Sequence, residues 1–388
     1  MRERTLLLGT AILVTVFVAR MALAGRDDRK DSPVIPQIAA VPPTFSDSTV
    51  PLTNGDVNPY GVAFVPPEFP HGGLLHPGDI IVANFNNAAT QANPAGLQAT
   101  GTTIVRVNRN GAPSVFFTSQ AIGLSTALDV LKKGFVIVGN VPSIPSSPNT
   151  PLGTCNVLGD VGQGSLQVID RKGNLVKTLT SATLFDGPWD MTVKDDGRHV
   201  QVFVSNVLTG TVTRLDLRIT GDGDADKHDA IVVEKETQIA SGYLHRCDPA
   251  AFVVGPTGLA LDEDRDILYV SSTGDNQIFA IDDAGDRKTD AGMGRLAVSD
   301  EKHLHGPLAL ALARNGDLIS SQGDAVNPDA AHPSEIVEFT PDGQFVAEFS
   351  IDPAPGSAFG LALKSFEGGF IFAAVDDGLN VLDIWVVR

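Results

Sequence analysis

Polar side chains beside short apolar runs are the residues of this sequence best suited to chemistry. His305 stands in the run HLHGP, directly before Gly306 and Pro307, and it is a candidate general base or metal ligand. Asn, Asp, Ser and Gln side chains at comparable places would hydrogen-bond a polar ligand or coordinate a hard cation. The candidate ligand-binding residues are Asn58, Asn84, Asn140, Asp186, Asn206, Ser272, His305, Gln322 and Asp376.

A second candidate site is the acidic segment ITGDGDADKHD, residues 219 to 229. Asp222, Asp224 and Asp226 have the one-three-five spacing of a calcium-binding loop. Lys227 stands where that loop requires glycine, and Val233 at the twelfth position offers no carboxylate. The segment is therefore a candidate structural calcium site, and the alternative is a solvated acidic turn.

The elements that must position these residues are repeated strings of short strands. In GPTGLALDEDRDILYVSSTGDNQIFAID, residues 255 to 282, turn residues separate three apolar runs with the patterns of β-strands. Related strings recur along the chain, and an alignment of the copies places six residues at one position. These aligned residues are Gly61, Ala127, Asp190, Gly258, Ala309 and Gly360, which indicates a repeat architecture.

The copies before the last continue into a fourth strand after a hairpin turn, and we name the strands of a copy a to d from the inside outward. Four-stranded units in a ring form a β-propeller, so the sequence predicts an all-β, six-bladed propeller over residues 46 to 388. The last copy lacks strand d, and we expect a segment within Val34 to Leu52 to supply it and close the ring. The expected blade starts are residues 55, 122, 186, 254, 305 and 356.

In a propeller, the connections from d to a and from b to c emerge on the same face. Three b–c connections are long in this chain, at roughly residues 85 to 101, 141 to 164 and 323 to 334. We call this side the long-loop face, and the candidate polar residues are expected around the tunnel mouth there. Long loops on a rigid scaffold often bind ligands. The alternatives are decorative loops and polar residues that only cap strand ends.

Two cysteines, Cys155 and Cys247, lie on connections of this same face. In an exported protein an even cysteine count favours a disulfide, which we predict between them. On the chain-entropy account such a bridge would stabilise the fold by roughly 4 kcal/mol. Two unpaired thiols are the alternative.

The first residues have the pattern of an export signal. A basic start precedes an apolar run from Thr5 to Ala19, and Ala22-Leu23-Ala24 is a small-x-small cleavage pattern. We predict a signal peptide over residues 1 to 24, a linker over residues 25 to 45, and a secreted or periplasmic location. An uncleaved membrane anchor is the alternative.

Charge and motifs exclude several functions. The net charge is −18, with 46 acidic and 28 basic residues and no basic stripe, which argues against nucleic acid and anionic membranes as partners. After signal cleavage we expect no membrane span and a monomer. The sequence contains no G-x-S-x-G, H-E-x-x-H or P-loop motif.

The repeats resemble those of the NHL-repeat and SMP-30/gluconolactonase-like six-bladed propellers. Pro256 to Ile278 fits their pattern of P-x-G-x-A, a charged turn and Y-V-A-D-x-x-N-x-I, with Asn276 at the asparagine position. The resemblance covers about residues 55 to 388, and it implies the fold more strongly than any activity.

The gluconolactonase branch implies a divalent metal at the tunnel mouth, held by residues of E-G-P-x-W, P-N-G and P-D-G motifs. Asp186-Gly187-Pro188-Trp189 is similar to the first motif, with Asp in place of Glu. Thr257 and Leu308 stand where the other two motifs have Asn and Asp, and leucine cannot ligate a metal. The metal site of that family is therefore expected to be incomplete. Peptide-amidating lyases of related fold use several histidines, where this chain offers His305.

These observations favour an exported binding module for a small polar ligand or an extracytoplasmic protein partner, acting through the long-loop face. One alternative is a metal-dependent lactonase-like hydrolase, with Asp186, Asn206 and Asp376 as ligands and His305 as the base. Another is a structural envelope or surface scaffold. A divalent cation such as calcium is the cofactor that the sequence suggests.

Overall fold

A ring of six antiparallel sheets forms the body of the protein. The computed structural model describes residues 32–92, 94–143, 163–221, 231–248 and 251–388. Within these residues there are six four-stranded sheets, each of which is one blade. The predicted all-β, six-bladed propeller is therefore confirmed, and it is the fold that the resemblance to gluconolactonase-like propellers implied.

Each blade has four strands, ordered from the tunnel outward as a to d. Blades 1 and 2 consist of β2 Val57–Phe64, β3 Ile80–Asn86, β4 Thr103–Arg106 and β5 Ser114–Thr118, then β6 Leu124–Leu131, β7 Phe135–Asn140, β8 Ser165–Asp170 and β9 Leu175–Leu179. Blades 3 and 4 consist of β10 Pro188–Asp195, β11 His199–Asn206, β12 Thr211–Ile219 and β13 Ile231–Ser241, then β16 Pro256–Asp262, β17 Ile267–Ser272, β18 Gln277–Asp282 and β19 Arg295–Val298. Blades 5 and 6 consist of β20 Pro307–Leu312, β21 Leu318–Gln322, β22 Glu335–Phe339 and β23 Phe345–Ser350, then β24 Ala358–Phe366, β25 Gly369–Asp376, β26 Val381–Val387 and β1 Phe45–Ser48. A separate hairpin of β14 Arg246–Asp248 and β15 Phe252–Val254 precedes blade 4.

The aligned position of the repeat is the place where inner strands of neighbouring blades approach most closely. A Cβ atom on Gly360 would collide with the carbonyl oxygen of Tyr60, and one on Gly258 would collide with the carbonyl oxygen of Leu308. Glycine therefore recurs at this position because it lets the inner strands pack around a narrow tunnel.

The ring closes through β1, the strand nearest the start of the described chain. Phe45 pairs with Ile384, and Ser48 pairs with Val381, in antiparallel register with β26. Strand d of blade 6 thus comes from the segment within Val34 to Leu52, as the sequence predicted.

A short helix lies inside the segment that the sequence assigned to a linker. Ile35–Ile38 form one helical turn, α1, and Ile35 and Ile38 are fully buried against blades 5 and 6. The backbone N–H groups of Val34 and Ile35 donate to the two carboxylate oxygens of Glu338 at 2.8 and 2.7 Å. The buried apolar side chains and the Glu338 carboxylate attach the segment to the propeller. The described part of the predicted linker therefore packs against blades 5 and 6.

Three of the sequence predictions fall on residues outside the described ranges. The signal peptide, Cys155 and the candidate calcium ligands Asp222, Asp224 and Asp226 all lie there, so these predictions stay open. Cys247, the other half of the predicted disulfide, lies in β14. In the part of the chain that is described, no helix has the length and apolar character needed to cross a membrane.

Candidate functional site

The polar residues predicted as ligands at the ends of b strands are buried and bonded within the protein. Asn84 Nδ2 donates to the carbonyl oxygen of Thr49 at 3.1 Å. Asn140 Nδ2 donates to the carbonyl oxygen of Ile122 at 3.0 Å. Both side chains thereby join strand b to the connection that precedes strand a of the same blade.

In blades 3 and 5 the side chain at the end of strand b bonds to the same connection, but it accepts a hydrogen bond instead of donating one. Asn206 Oδ1 accepts the backbone N–H of Asp186 at 3.2 Å, and Gln322 Oε1 accepts the backbone N–H of His305 at 2.8 Å. In each blade the polar end of strand b fixes the residue that lies two positions before strand a. This positions the His305 side chain.

The remaining members of the predicted set bond to nearby turns. Ser272 Oγ donates to Asp275 Oδ2 at 2.6 Å, and Asp376 Oδ1 accepts the backbone N–H of Leu379 at 3.1 Å. Asn58 has a left-handed backbone, with φ of 59°, and its N–H donates to the Asn380 side chain. These are the contacts expected of strand-end caps, and a ligand-binding role for the set stays a prediction.

Aromatic side chains, and not the predicted polar residues, fill the tunnel mouth on the long-loop face. Tyr60 stacks between Phe85 and Phe359, with ring centroids 4.3 and 4.1 Å away. Trp189 packs 5.7 Å from both Tyr60 and Phe85, and Phe252 of the separate hairpin lies 6.0 Å from Phe85. We call these five residues the aromatic cap. Six of the predicted polar residues, Asn84, Asn140, Asn206, Ser272, Gln322 and Asp376, lie at the ends of b strands, as does Phe85 of the aromatic cap.

The sequence contained a signal for the aromatic cap. The residue directly before the aligned position of the repeat is Tyr60, Trp189 or Phe359 in three copies. At the same position the other copies have Thr126, Thr257 and Leu308, and the Thr257 hydroxyl donates to the carbonyl oxygen of Pro307 at 3.1 Å. Two of the positions where the resemblance would place metal ligands, Thr257 and Leu308, thus carry side chains that bond internally or are buried.

One group of side chains in the described part of the chain has the composition of a metal site. The ligand atoms of His305, Asp329 and Glu335 all lie within 4.8 Å of one another. His305 Nδ1 lies 2.8 Å from Glu335 Oε1. His305 precedes β20, Glu335 begins β22, and Asp329 lies in the long connection between β21 and β22. We call these three residues the blade 5 cluster.

The blade 5 cluster differs from a surface ion pair because His305 and Glu335 are buried and one carboxylate oxygen has no hydrogen-bond partner. The side chain of His305 is 4% exposed and that of Glu335 is 0% exposed. Burial raises the pKa of Glu335, and the hydrogen bond from His305 opposes that rise. Glu335 Oε2 is buried and has no hydrogen-bond partner. An unbonded buried carboxylate oxygen is costly, so this atom has an acceptor site available for a further group.

Asp329 of the cluster and the neighbouring Asp324 also have defined contacts. Asp329 Oδ2 lies 2.9 Å from the Nδ1 atom of the exposed His332, and hydrogen bonds from Ala331 and His332 lower the pKa of Asp329. Asp324 Oδ2 accepts the backbone N–H groups of Ser334 and Gly356, whereas its Oδ1 is buried and unbonded. These bonds hold the end of the connection between β21 and β22 in place, next to Glu335.

Asp186 and Asp376, which the hydrolase alternative used as ligands, are not members of such a group among the described residues. Burial raises the pKa of Asp186, and burial raises the pKa of Asp376 to about 6. Sequence reasoning identified His305 and the connection of residues 323 to 334. It missed Asp329 and Glu335, and the sequence signal for Glu335 was its place as an acidic residue at the start of an apolar strand.

A cavity of about 310 Å³ occupies the tunnel below the aromatic cap. The inner strands of all six blades form its wall, and Asp129 and Asp190 supply two carboxyl groups. Burial raises the pKa of Asp129 to about 7 and that of Asp190 to about 8. Asp190 Oδ2 accepts the backbone N–H of Leu259 at 2.8 Å, which links blades 3 and 4.

Comparison with known proteins gives similarity to solved propellers alone. No protein-family model matches the chain, and no curated protein matches it. A candidate gluconolactonase is 13% identical over 91% of this chain and 98% of its own, with a TM-score of 0.42. The WD40 β-propeller domain of Doa1 is 16% identical over 88% and 97%, with a TM-score of 0.41. A candidate 6-phosphogluconolactonase from Bacteroides fragilis is 13% identical over 78% and 80%, with a TM-score of 0.39. At these values the similarities carry no argument about activity.

Proposed function

We propose that this protein is a binding propeller that holds a divalent metal ion in the blade 5 cluster and uses the ion to bind a small polar ligand on its long-loop face. The observation that carries the proposal is the buried contact between His305 and Glu335, with Glu335 Oε2 unbonded and Asp329 within reach. The proposal retains the binding role and the face favoured by the sequence.

The ligand set indicates which metal would bind. Imidazole favours zinc, copper, iron and nickel, whereas calcium takes six to eight oxygen ligands. His305, Asp329 and Glu335 provide one nitrogen donor and two carboxylates, so the cluster suits a transition metal better than calcium. Calcium remains the candidate for Asp222, Asp224 and Asp226.

Three protein ligands leave a coordination position for another molecule. Structural zinc sites have four protein ligands, whereas sites that bind water or substrate have three. A ligand with a carboxylate or hydroxyl oxygen would complete the coordination. In a chain with a net charge of −18, the metal would also supply the local positive charge that attracts an anionic group.

In the hydrolase alternative, the same blade 5 cluster would hold the metal ion. A metal with an open position lowers the pKa of bound water and polarises a carbonyl group. In this version His305 is a metal ligand and not the general base, and Asp186, Asn206 and Asp376 have no metal role. We rank it second because hydrolysis requires a general base in addition to the metal ligands.

A ligand screen separates the two functions. Small carboxylates, sugars and lactones would be tested by thermal shift and for hydrolysis, each with and without added zinc. For the binding function we expect a stabilising ligand that depends on zinc, no turnover, and no response in Glu335→Gln.

The matched control is His303→Gln, which removes another buried histidine of the same loop. His303 lies 2.7 Å from Asp300 and is outside the blade 5 cluster. Turnover of a lactone by the zinc form would establish the hydrolase instead. A ligand response that Glu335→Gln retains would contradict a metal-dependent site.

A further inference from the structure

Asp324 is an acidic residue that lies beside the blade 5 cluster but is not one of the three proposed metal ligands. It follows strand β21, and its backbone N–H donates to the carbonyl oxygen of His305 at 3.0 Å. Asp324 Oδ2 accepts the backbone N–H of Ser334, the residue before Glu335, at 2.9 Å. Burial raises the pKa of Glu335, and the negative charge of Asp324 raises it further. Asp324 is therefore bonded next to both residues that form the buried contact of the cluster.

The Asp324 carboxylate is fixed at one oxygen and unbonded at the other. Oδ2 also accepts the backbone N–H of Gly356 at 2.7 Å, so two backbone donors hold it. Oδ1 is buried and has no hydrogen-bond partner in the described part of the chain, and the same holds for Glu335 Oε2. Buried polar atoms are ordinarily bonded. The two oxygens therefore point to a bound group that supplies a hydrogen-bond donor as well as a cation.

The acidic residues around the cluster carry more charge than a divalent metal neutralises. Asp329 and Glu335 balance a divalent ion when His305 binds it as a neutral imidazole. Asp324 then adds one further negative charge. Among the described residues, His305 and His332 are the basic side chains paired with these acids, and the His332 side chain is 54% exposed, so solvent and salt screen it. The metal-loaded site thus retains an excess of negative charge.

We propose, on the basis of the proposed metal site, that Asp324 determines which ligand takes the coordination position that the three protein ligands leave open. The preferred ligand is uncharged, and it offers an oxygen to the metal and an N–H or O–H donor to Asp324 Oδ1. Primary amides and alcohols combine these two groups. A carboxylate has a negative charge and no donor, so Asp324 repels it and stays unbonded. The ligand class of the long-loop face narrows accordingly from polar molecules in general to uncharged ones.

The test compares acetamide with acetate, which have the same shape but differ in charge and in N–H donors. Both are titrated into the full chain loaded with cobalt(II), and binding is followed by the visible absorption of the metal. We expect wild type to bind acetamide at least about tenfold more tightly than acetate.

Asp324→Asn keeps the side-chain shape and removes the charge. We expect this variant to bind acetate about tenfold more tightly than wild type does, and acetamide more weakly. A folding defect would weaken both ligands, so changes in opposite directions identify a role in selectivity. Asp264→Asn, at an exposed position, is the control and should bind both ligands as wild type does.

The cobalt content separates failure of this proposal from failure of the metal site. Wild type that takes up no cobalt contradicts the proposed function, and the selectivity falls with it. Wild type that takes up cobalt but binds acetate as tightly as acetamide overturns the selectivity alone. Cobalt-loaded Asp324→Asn that keeps the wild-type preference overturns the role of Asp324. The comparison of the two ligands uses wild-type protein, so it stands even where the variant does not fold.

Discussion

His305 Nδ1 lies 2.8 Å from Glu335 Oε1, although the two residues are 30 positions apart in the chain. His305 precedes strand a of blade 5 and Glu335 begins strand c, so the blade itself brings them together at the long-loop face. The connection that carries Asp329 lies between them. Glu335 lies in strand β22, and the bond from the His305 backbone N–H to Gln322 at the end of β21 fixes His305, so blade 5 itself holds two of the three side chains in place.

Zinc should stabilise the wild-type protein and should not stabilise Glu335→Gln. A ligand that binds only the folded state at about one hundred times its Kd adds about 2.7 kcal/mol of stability. Glutamine keeps the shape of Glu335 and removes the negative charge that a metal requires. Thermal unfolding with and without zinc measures the difference, and His303→Gln should respond as wild type does. Equal responses in wild type and Glu335→Gln would contradict the assignment of this ligand.

Asp190→Asn should flatten the dependence of stability on pH. The pKa of Asp190 is about 8 in the folded protein and near 3.8 when unfolded, so the folded state retains a proton that the unfolded state releases. Stability should therefore fall as pH rises from about 4 to about 8, by up to about 1.4 kcal/mol per pH unit for this group. An asparagine side chain cannot ionise, so the variant loses this part of the slope.

Urea unfolding between pH 5 and pH 9 measures that slope. Wild type should retain stability at pH 5 and lose it toward pH 9, and Asp264→Asn should follow wild type. Asp129 and Glu338, whose pKa values are raised to about 7, contribute with the same sign, so some slope should persist in Asp190→Asn. Identical slopes for wild type and Asp190→Asn would refute a raised pKa at Asp190.

Glu338→Ala should release the segment that contains α1. The variant removes the acceptor of two buried N–H groups, those of Val34 and Ile35. Because hydrogen bonds to a charged group contribute about 1.5–3 kcal/mol each, we expect a loss of at least about 2 kcal/mol. Hydrogen exchange should accelerate at residues 34 to 39 and not in blade 2. The exposed Glu367→Ala is the control, and unchanged exchange in the Glu338 variant would show that apolar burial alone holds the helix.

Gly360→Ala should destabilise the propeller although it adds a single methyl group. That methyl would collide with the carbonyl oxygen of Tyr60, so two inner strands would have to separate. Overpacking of this kind costs about 1–3 kcal/mol. Gly111→Ala is the matched control, since a Cβ there meets nothing within 4 Å. Chemical denaturation of the two variants compares the costs, and equal stability would show that the tunnel relaxes freely.

The architecture was predictable because each repeat carries its own turns and strand patterns. The aligned residues Gly61, Gly258 and Gly360 mark one close approach per copy, and the missing last strand required a donor elsewhere in the chain. The number of blades and the closure of the ring through β1 could therefore be predicted from local sequence patterns.

The candidate site was less predictable because it depends on contacts between strands. His305 attracted attention as a histidine before a turn, but nothing local marked Glu335 as its partner. Strand-end residues such as Asn206 and Gln322 looked like ligands, since the sequence does not reveal which backbone groups such amides satisfy. Tyr60, Trp189 and Phe359 did recur at one repeat position, and only the ring geometry places them together over the tunnel.

The most direct test of the proposed function is the metal content of protein purified without chelator and then loaded with zinc, measured by elemental analysis. The comparison includes wild type, Glu335→Gln, His303→Gln and Asp222→Ala. We predict a stoichiometric transition metal in wild type, His303→Gln and Asp222→Ala, and its loss in Glu335→Gln. Wild-type protein that retains no metal after loading, or a Glu335→Gln variant that retains it fully, would contradict the metal site.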